Sequence, residues 1–473
     1  MRKIGIIILS GLAAIHLLAG TVLAQKKSVA EEILGILRSE NKISETQYQD
    51  LMNRAKAENE AREAGVEAFR RDPVKLIKQD QSLNWLNRFS FFGDLRVRHE
   101  GFYQDGENAR NRERIRFRFG ANMKITDELM AGMRLVSGNI DDPISTNQTL
   151  TGVFNRKPIN LDWAYLQITP KETIGLGDIP WTPITLFAGK FTNNFYRPRA
   201  IMISELIFDD DLSPEGFGQN FILYEKAEGV LRRFQINTAQ WTAVENWSSS
   251  GTSPNHDAWV FGGQGVATLQ FHPKVRLTMS FGDYYFSRSN FLAQARNTNN
   301  QLKVTNSVIL KDGTVVQGGY SLSPGTGNKA FQRFVGGFNI VNWGYQLEYD
   351  TGYAKWPLTL MSDFAYNTVA EGGGEFAVWT GASLGATRNP GDWAFSFVWA
   401  HTETQAVLSE LSYSDFGRDG GTNLQGPFVR IDYMLFPRLT LTLKNHFVSF
   451  IDRPAGKSNS EVYRLQLDAQ VAF

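Results

Sequence analysis

Arginines at alternate positions are the feature of this chain best suited to chemistry. They share one parity over three short stretches: Arg96, Arg98, Arg112, Arg114, Arg116, Arg118 and Arg134. Guanidinium groups remain charged at physiological pH and bind carboxylates and phosphates with paired donors. A strand points alternate side chains to opposite faces, and neighbouring strands lie about 4.8 Å apart. The spacing therefore predicts one basic patch on one face of a sheet.

A second charged group is acidic and lies in a long polar connection. It comprises Asp209, Asp210, Asp211 and Glu215. An acidic loop facing a basic wall would set up a transverse field that orients dipolar solutes and sorts ions by charge. Two other interpretations stay open. The arginines would pair with Glu100, Glu113 and other acids as wall structure, or the acidic segment would be a solvated loop or a divalent-cation site.

Signals for other kinds of chemistry are weak. The histidines at 99, 256, 272, 401 and 446 show no metal-ligand spacing, and there is no Gly-x-Ser-x-Gly motif. The chain has no cysteine, which excludes disulfides and thiolate metal sites. Its 49 basic and 48 acidic residues nearly cancel, so nucleic acid is not an expected partner. We predict no catalytic residue, no cofactor and no metal site.

The elements that would position these charges are strands. From Phe89 onward the apolar residues recur with a period of two, which predicts about sixteen strands of roughly the ten residues that cross a bilayer at barrel tilt. They cover residues 90–102, 111–124, 129–139, 159–169, 183–192, 218–226, 230–241, 258–271, 275–287, 338–350, 357–368, 375–386, 392–402, 427–436, 439–451 and 461–473.

The connections between these strands alternate in length. Tight turns are expected at 126–128, 272–274 and 436–438, and long polar loops at 140–158, 193–217, 242–257, 288–337 and 403–426. Short turns at one end and long loops at the other are typical of outer-membrane barrels, and the acidic segment falls in the third outer loop. An even strand count returns both chain ends to one side of the membrane.

Residue parity predicts which face meets lipid. On one strand Trp393, Phe395, Phe397 and Trp399 share a face. Arginine facing lipid at mid-bilayer costs about 2–4 kcal/mol, so we expect the arginines to face a water-filled lumen. Aromatic belts are expected at strand ends. Candidates are Trp163, Trp181, Trp259, Trp393, Tyr433 and Tyr463.

The two chain ends indicate export and assembly. A basic start, the apolar run 4–18 and small residues around Ala24 predict a signal peptide over residues 1–24, with an uncleaved anchor as the alternative. After it no stretch of about 18 apolar residues follows, which excludes helical spans. The last strand alternates apolar and polar residues and ends on Phe473, which we interpret as a signal for the barrel assembly machinery.

Residues 25–82 differ from the rest, being charged, alanine-rich and nearly free of aromatics. Apolar spacing predicts a helical hairpin that breaks at 40–42, with Ser44 and Gln47 as a capping box. A charged helix is expected to follow as far as Arg70 and to stop before Pro73. This leader would be a periplasmic, coiled-coil-like spacer or self-association element, or a solvated tail.

Several motifs resemble the putative porin family of Gram-negative bacteria. They run in order through residues 112–118, 131–135, 142–150, 161–166, 189–191 and 209–216, and the likeness extends from about Arg88 to Phe473. The leader around 43–48 is similar to leaders found before several such porins. The resemblance implies an outer-membrane diffusion channel and fixes neither a solute nor any residue role.

Together these observations predict an all-β transmembrane barrel of about sixteen antiparallel strands. It is closed, spans residues 83–473 in the bacterial outer membrane, and follows a short α-helical periplasmic leader. We expect a channel, not an enzyme, for passive diffusion of small hydrophilic solutes or ions. Expected partners are outer-membrane lipids, the assembly machinery, those solutes and further copies in a homo-oligomer such as a trimer. The alternative is a structural or adhesive barrel with an occluded lumen.

Two further classes fit poorly. A barrel lipid hydrolase needs a nucleophile–histidine pair, which the sequence does not offer. An energised transporter needs about twenty-two strands and a plug domain larger than this leader.

Overall fold

The computed structural model describes residues 29–40, 42–71, 81–245, 257–290, 304–316, 318, 331–418, 420–453 and 461–473. The predicted signal peptide and its cleavage site lie outside these residues. The chain divides into two compact units, with the boundary between Asn87 and Arg88.

The first unit is helical. Helix α1 spans Val29–Ser39 and helix α2 spans Glu45–Arg71. The Ser44 N–H donates to Gln47 Oε1 (2.9 Å) and the Gln47 N–H donates to Ser44 Oγ (3.3 Å), so the predicted capping box starts α2. Over residues 45–71 the sequence predicted two separate helices, whereas α2 is one continuous helix. No helix in the described part of the chain is long and apolar enough to cross a membrane.

A 3-10 helix, Gln81–Arg88, precedes the barrel strands. Within the described residues these number sixteen and form a closed antiparallel barrel, as predicted. They are β1 Phe89–Tyr103, β2 Arg110–Lys124, β3 Leu129–Ser137, β4 Ile159–Ile168, β5 Ile184–Lys190, β6 Glu215–Glu225, β7 Leu231–Val244, β8 Ala258–His272, β9 Val275–Phe286, β10 Phe338–Tyr349, β11 Leu358–Asn367, β12 Phe376–Gly385, β13 Trp393–Thr402, β14 Leu424–Phe436, β15 Leu439–Phe450 and β16 Val462–Ala472.

Each strand pairs with the next, and β1 pairs with β16 from Asp94↔Ala472 to Tyr103↔Tyr463, which closes the barrel. Smaller strands lie in the loops. Gln148–Thr149 pairs with β2, and Val308–Leu310, Val315–Val316 and Phe331–Phe334 form a separate three-stranded sheet.

The terminal residue takes part in closure. Phe473 and Gly93 exchange two backbone hydrogen bonds of 3.0 Å, and the Phe473 ring stacks on Phe119. A Cβ atom at residue 93 would lie 2.6 Å from the Phe473 ring. Glycine is therefore required at position 93 for the terminal ring to lie flat on the outer surface of β1.

The outer surface is apolar because the pleat sends alternate side chains outward. On β13, Trp393, Phe395, Phe397 and Trp399 are 39–51% exposed, whereas the intervening Ala394, Ser396, Val398 and Ala400 are buried. A closed barrel satisfies every strand hydrogen bond internally, so such a surface can lie in hydrocarbon. The molecule is thus built to span a bilayer.

The barrel interior has two unlike halves. Loops and inward side chains along β7 to β15 form an apolar cluster that includes Phe208, Trp241, Phe338, Trp379 and Phe428. The opposite wall, from β14 through β16 to β3, carries charged and polar side chains. In the apolar half, side chains of the loops pack directly against inward side chains of the strands.

Closure makes a prediction about the purified protein. A barrel with fully paired strands resists detergent in the cold, so unheated samples should migrate differently from boiled samples in a denaturing gel. Circular dichroism of the unheated sample should be dominated by β structure. Identical migration together with a mainly helical spectrum would contradict the closed barrel.

Candidate functional site

The arginines at alternate positions line the charged wall inside the barrel. They are Arg96 and Arg98 on β1, Arg112, Arg114, Arg116 and Arg118 on β2, and Arg134 on β3. In the pair of β1 with β2, Arg96 lies opposite Arg116 and Arg98 lies opposite Arg114. Like charges directly opposite destabilise a sheet, so this wall requires counter-charges.

Carboxylates from neighbouring strands supply the counter-charges at the turn end of the patch. Asp94 binds Arg116 at 2.9 Å and Arg118 at 2.6 Å. On β3, the Arg134 Nε donates to Asp162 Oδ2 at 2.6 Å. These ion pairs stabilise the wall of the barrel. Pairing of the arginines with acids was one of the two interpretations that the sequence left open.

Nearer the loop end, β16 provides the partners. Arg98 binds Asp468 at 2.7 and 2.8 Å through two nitrogens. Glu100 is fully buried between Arg112 and Arg464, whose Nε donates to it at 3.0 Å. Asp468 is 370 positions from Arg98 in the chain, so this contact exists only because β1 and β16 close the barrel.

Two sequence expectations about this wall are wrong. Glu113 has the opposite parity and binds His99 at 2.6 Å, so it is not one of the lumenal acids. Trp163 does not join an aromatic belt, because a register shift in the pairing of β3 with β4 turns it inward. Its ring lies 3.6 Å from the Arg134 guanidinium, and its indole N–H donates to Ser213 Oγ.

The loop between β5 and β6 (residues 191–214, the acidic loop) crosses the lumen. At one side Asp211 lies 3.5 Å from Arg118 and accepts hydrogen bonds from Thr146. At the other side the Ser204 hydroxyl donates to Asp363 on β11 at 2.5 Å. A loop fixed to β2 and to β11 narrows the channel between them.

The four acidic residues of the predicted constriction occupy different positions. Asp209 is buried, and Asp211 faces the arginine wall. Asp210 is half exposed and binds Arg197 at 2.9 Å. Glu215 begins β6 and binds Lys190 at the rim, so it is not part of the lumen-crossing segment.

A second loop enters the lumen, which the sequence did not predict. This is the loop between β13 and β14 (403–423, the second lumen loop, with residue 419 outside the described part), which the sequence predicts to be polar. Its Ala406, Val407 and Leu408 are buried in the apolar cluster. The signal was the short apolar run itself, followed by Tyr413 and Phe416 in a segment without strand periodicity.

Hydrogen bonds join the second lumen loop to the acidic loop and to the wall. The Asp209 N–H donates to the Leu411 carbonyl at 2.7 Å, and the Tyr413 N–H donates to the Glu205 carbonyl at 3.1 Å. Asp415 lies 3.2 Å from Arg98 and 2.6 Å from Arg464. The two loops therefore form one unit that is fixed to the charged wall.

Two cavities lie beside this unit. The larger, about 310 Å³, is enclosed by β1, β2, β14 to β16 and the acidic loop, and we call it the constriction cavity. Seven basic and six acidic side chains line it among the described residues. A loop-end cavity of about 250 Å³ is lined by Arg110, Arg112 and Arg114. Ser414 and Asp415 border both cavities, so the tip of the second lumen loop lies between them.

The electrostatics of the loops follow from this geometry. Burial alone would raise the pKa of Asp211, but the charges of Arg116 and Arg118 outweigh it and hold that pKa below its ordinary value. Burial, with the charge of Asp210, raises the pKa of Glu205 to about 7. Glu205 lines the constriction cavity, so its charge changes near neutral pH.

This pKa predicts pH-dependent ion selectivity. Protonation of Glu205 below about pH 7 removes a negative charge from the constriction, so the anion-to-cation permeability ratio should rise as pH falls from about 8 to about 6. Reversal potentials in a salt gradient measure this ratio. Glu205→Gln should flatten the change, and Glu228→Gln, an exposed residue outside the cavity, should keep it. An unchanged pH profile in Glu205→Gln would contradict the assignment.

The described residues contain no group of three or more histidines, cysteines or carboxylates arranged to hold a metal ion. What the site can do is restrict and sort solutes. Charged groups of both signs face one another across the constriction cavity inside a closed barrel, as they do in a selective channel.

Comparison with known proteins agrees with this class. Residues 102–324 match the model of a family described as "Putative porin", so the resemblance in the sequence is confirmed over that segment. No curated protein matches the chain by sequence. The chain is therefore similar to this family over residues 102–324, and it has the closed antiparallel barrel expected of an outer-membrane porin.

The comparison with solved structures found chains of similar fold. The high-pH structure of OprB from Pseudomonas putida has 13% sequence identity to this chain and a TM-score of 0.51. The match covers 84% of this chain and 97% of the OprB chain. OmpF of Salmonella typhi in complex with daunomycin has 8% sequence identity and a TM-score of 0.45, and the match covers 81% of this chain and 97% of the OmpF chain. OmpT of Vibrio cholerae lacking loop L8 has 9% sequence identity and a TM-score of 0.42, and the match covers 81% of this chain and 99% of the OmpT chain. The similarity to OprB shows a shared barrel architecture.

Proposed function

We propose that this protein is a passive, water-filled porin of the bacterial outer membrane that admits small hydrophilic solutes or ions. The observation that carries the proposal is the constriction cavity, lined almost wholly by polar side chains within a closed barrel. Polar linings of this kind hydrate a solute along its path, whereas an apolar lining would exclude it. A cavity of about 310 Å³ holds on the order of ten water molecules, which suits small solutes.

Liposome swelling tests this function. Proteoliposomes should swell in isotonic solutions of small sugars at rates that fall steeply with solute size. The matched control is the same protein boiled before reconstitution, because the lumen exists only in the closed barrel. Swelling equal to that of the control, with the barrel intact in the gel assay, would favour the occluded structural barrel.

We infer that charge at the constriction sets a modest selectivity. The proposed pore-lining set is Arg96, Arg98, Arg114, Arg116, Arg118 and Arg134, facing Asp209, Asp210 and Asp211. A constriction narrower than the Debye length of about 8 Å keeps the field of these charges, whereas an open lumen screens it. Lipids of the outer membrane, the assembly machinery and a homo-oligomer such as a trimer are the proposed partners.

The helical leader yields a separate prediction. We propose that residues 1–24 are a signal peptide and that residues 25–82 form a periplasmic spacer or association element. Replacing residues 25–82 by a direct fusion of the signal to Leu83 should leave single-channel conductance unchanged, because the lumen is built from the barrel and its loops. Loss of oligomers would support association. Loss of conductance in a correctly inserted barrel would show that the leader shapes the pore.

A further inference from the structure

Arg199 and Arg430 differ from the other arginines of the constriction cavity because their guanidinium groups are accessible. The side chains of Arg98 and Arg116 are 5% and 8% exposed. Arg430 on β14 is 30% exposed, and Arg199 of the acidic loop is exposed. All four line the same cavity, so a solute passing through it meets mainly Arg199 and Arg430.

The hydrogen bonds of these two residues leave donors free. Arg430 binds Asp432 through Nε alone, at 3.0 Å to each carboxylate oxygen. Across the described part of the chain, its Nη1 and Nη2 have no protein partner. The Arg199 side chain likewise has none within the described residues, although its backbone N–H donates to Gln346. Asp210, an exposed acid of the same loop as Arg199, already forms an ion pair with Arg197.

The remaining arginines of the wall are already occupied. Asp94 holds Arg116 and Arg118, and Asp468 holds Arg98. A paired and buried guanidinium has few donors to offer and is costly to separate from its partner. The alternate arginines therefore contribute charge to the lumen but few free hydrogen-bond donors, and the free donors lie at the edge of the wall and on the loop.

We propose that Arg199 and Arg430 determine specificity and that they favour small oxyanions, carboxylates or phosphate, over chloride. This inference rests on the proposed channel function. A guanidinium presents its N–H groups as a planar fork that matches two oxygens of a carboxylate or phosphate. A spherical halide gains the charge attraction and not the paired hydrogen bonds. The two forks border one cavity, so an oxyanion passes from one to the other within the constriction.

The test is planar-bilayer recording of the full-length protein with Arg199→Gln, Arg430→Gln and Arg430→Lys. Chloride-to-potassium permeability comes from reversal potentials, and acetate and phosphate are then each added as competitors of the chloride current. Each glutamine variant should lower the anion-to-cation ratio about twofold to fivefold at low salt. Arg430→Lys should keep that ratio but lose competition by the oxyanions, because lysine retains the charge and not the fork.

Matched variants separate the outcomes. Arg156→Gln removes an exposed arginine outside the cavity and should leave both measurements unchanged. Arg199→Gln breaks no hydrogen bond within the described residues, so it tests the proposal even if Arg430 variants fail to fold. If only acetate or only phosphate reduces the chloride current, that result identifies which oxyanion the two arginines favour. Conducting Arg199→Gln channels with wild-type selectivity and wild-type competition would overturn this inference, whereas a wild-type protein that does not conduct would overturn the channel function itself.

Discussion

Deletion of Phe473 should remove most of the folded barrel from the outer membrane, a loss of several-fold. The terminal residue exchanges two hydrogen bonds with Gly93, and its ring covers the outer face of β1 where the barrel closes. An unclosed edge exposes unpaired backbone groups, which hydrocarbon does not tolerate. Heat-modifiable protein in isolated outer membranes measures the effect.

Phe271→Ala is the matched control for this deletion. Phe271 is also an exposed phenylalanine on the outer face, near the turn that joins β8 to β9. If Phe473 acts as an assembly signal, its loss should greatly exceed the effect of Phe271→Ala. Equal amounts of inserted protein in the deletion variant and in the wild type would contradict the proposed role.

Shortening the second lumen loop should raise single-channel conductance several-fold. Residues 411–417 replaced by two glycines would remove Asp415, which borders both cavities, and so join the loop-end cavity to the constriction cavity. The narrowest part of a water-filled pore dominates its resistance. Conductance in symmetrical potassium chloride gives the result directly.

The control is a shortening that leaves the lumen unchanged. Deletion of residues 152–156, where Val153 and Phe154 are exposed, shortens a stretch of the loop between β3 and β4 that lines neither cavity, and it should preserve conductance. If the 411–417 variant folds by the gel assay and conducts like the wild type, the second lumen loop does not limit flow. That result would place the constriction elsewhere.

The barrel was predictable because its signals are local. Alternation with a period of two, tight turns such as 126–128 and the strand that ends at Phe473 can each be recognised within a dozen residues. The sixteen strands follow from those signals. The inward side of β1 and β2 also follows, since lipid cannot accommodate arginines at alternate positions.

The arrangement inside the barrel could not be predicted in the same way. The partner of Arg98 is Asp468, and its other neighbour, Asp415, comes from a loop whose apolar run is only three residues long. Trp163 points inward because of a register shift, which alternation does not encode. These features depend on barrel closure and on loops packing together, both of which are long-range.

Single-channel recording of purified, heat-modifiable protein in planar bilayers is the most direct test of a water-filled channel. We expect stepwise, ohmic conductance from a permanently water-filled lumen, with reversal potentials that shift with pH as Glu205 titrates. A correctly folded barrel that inserts and yet passes no current would contradict the proposed channel function and identify an occluded structural barrel.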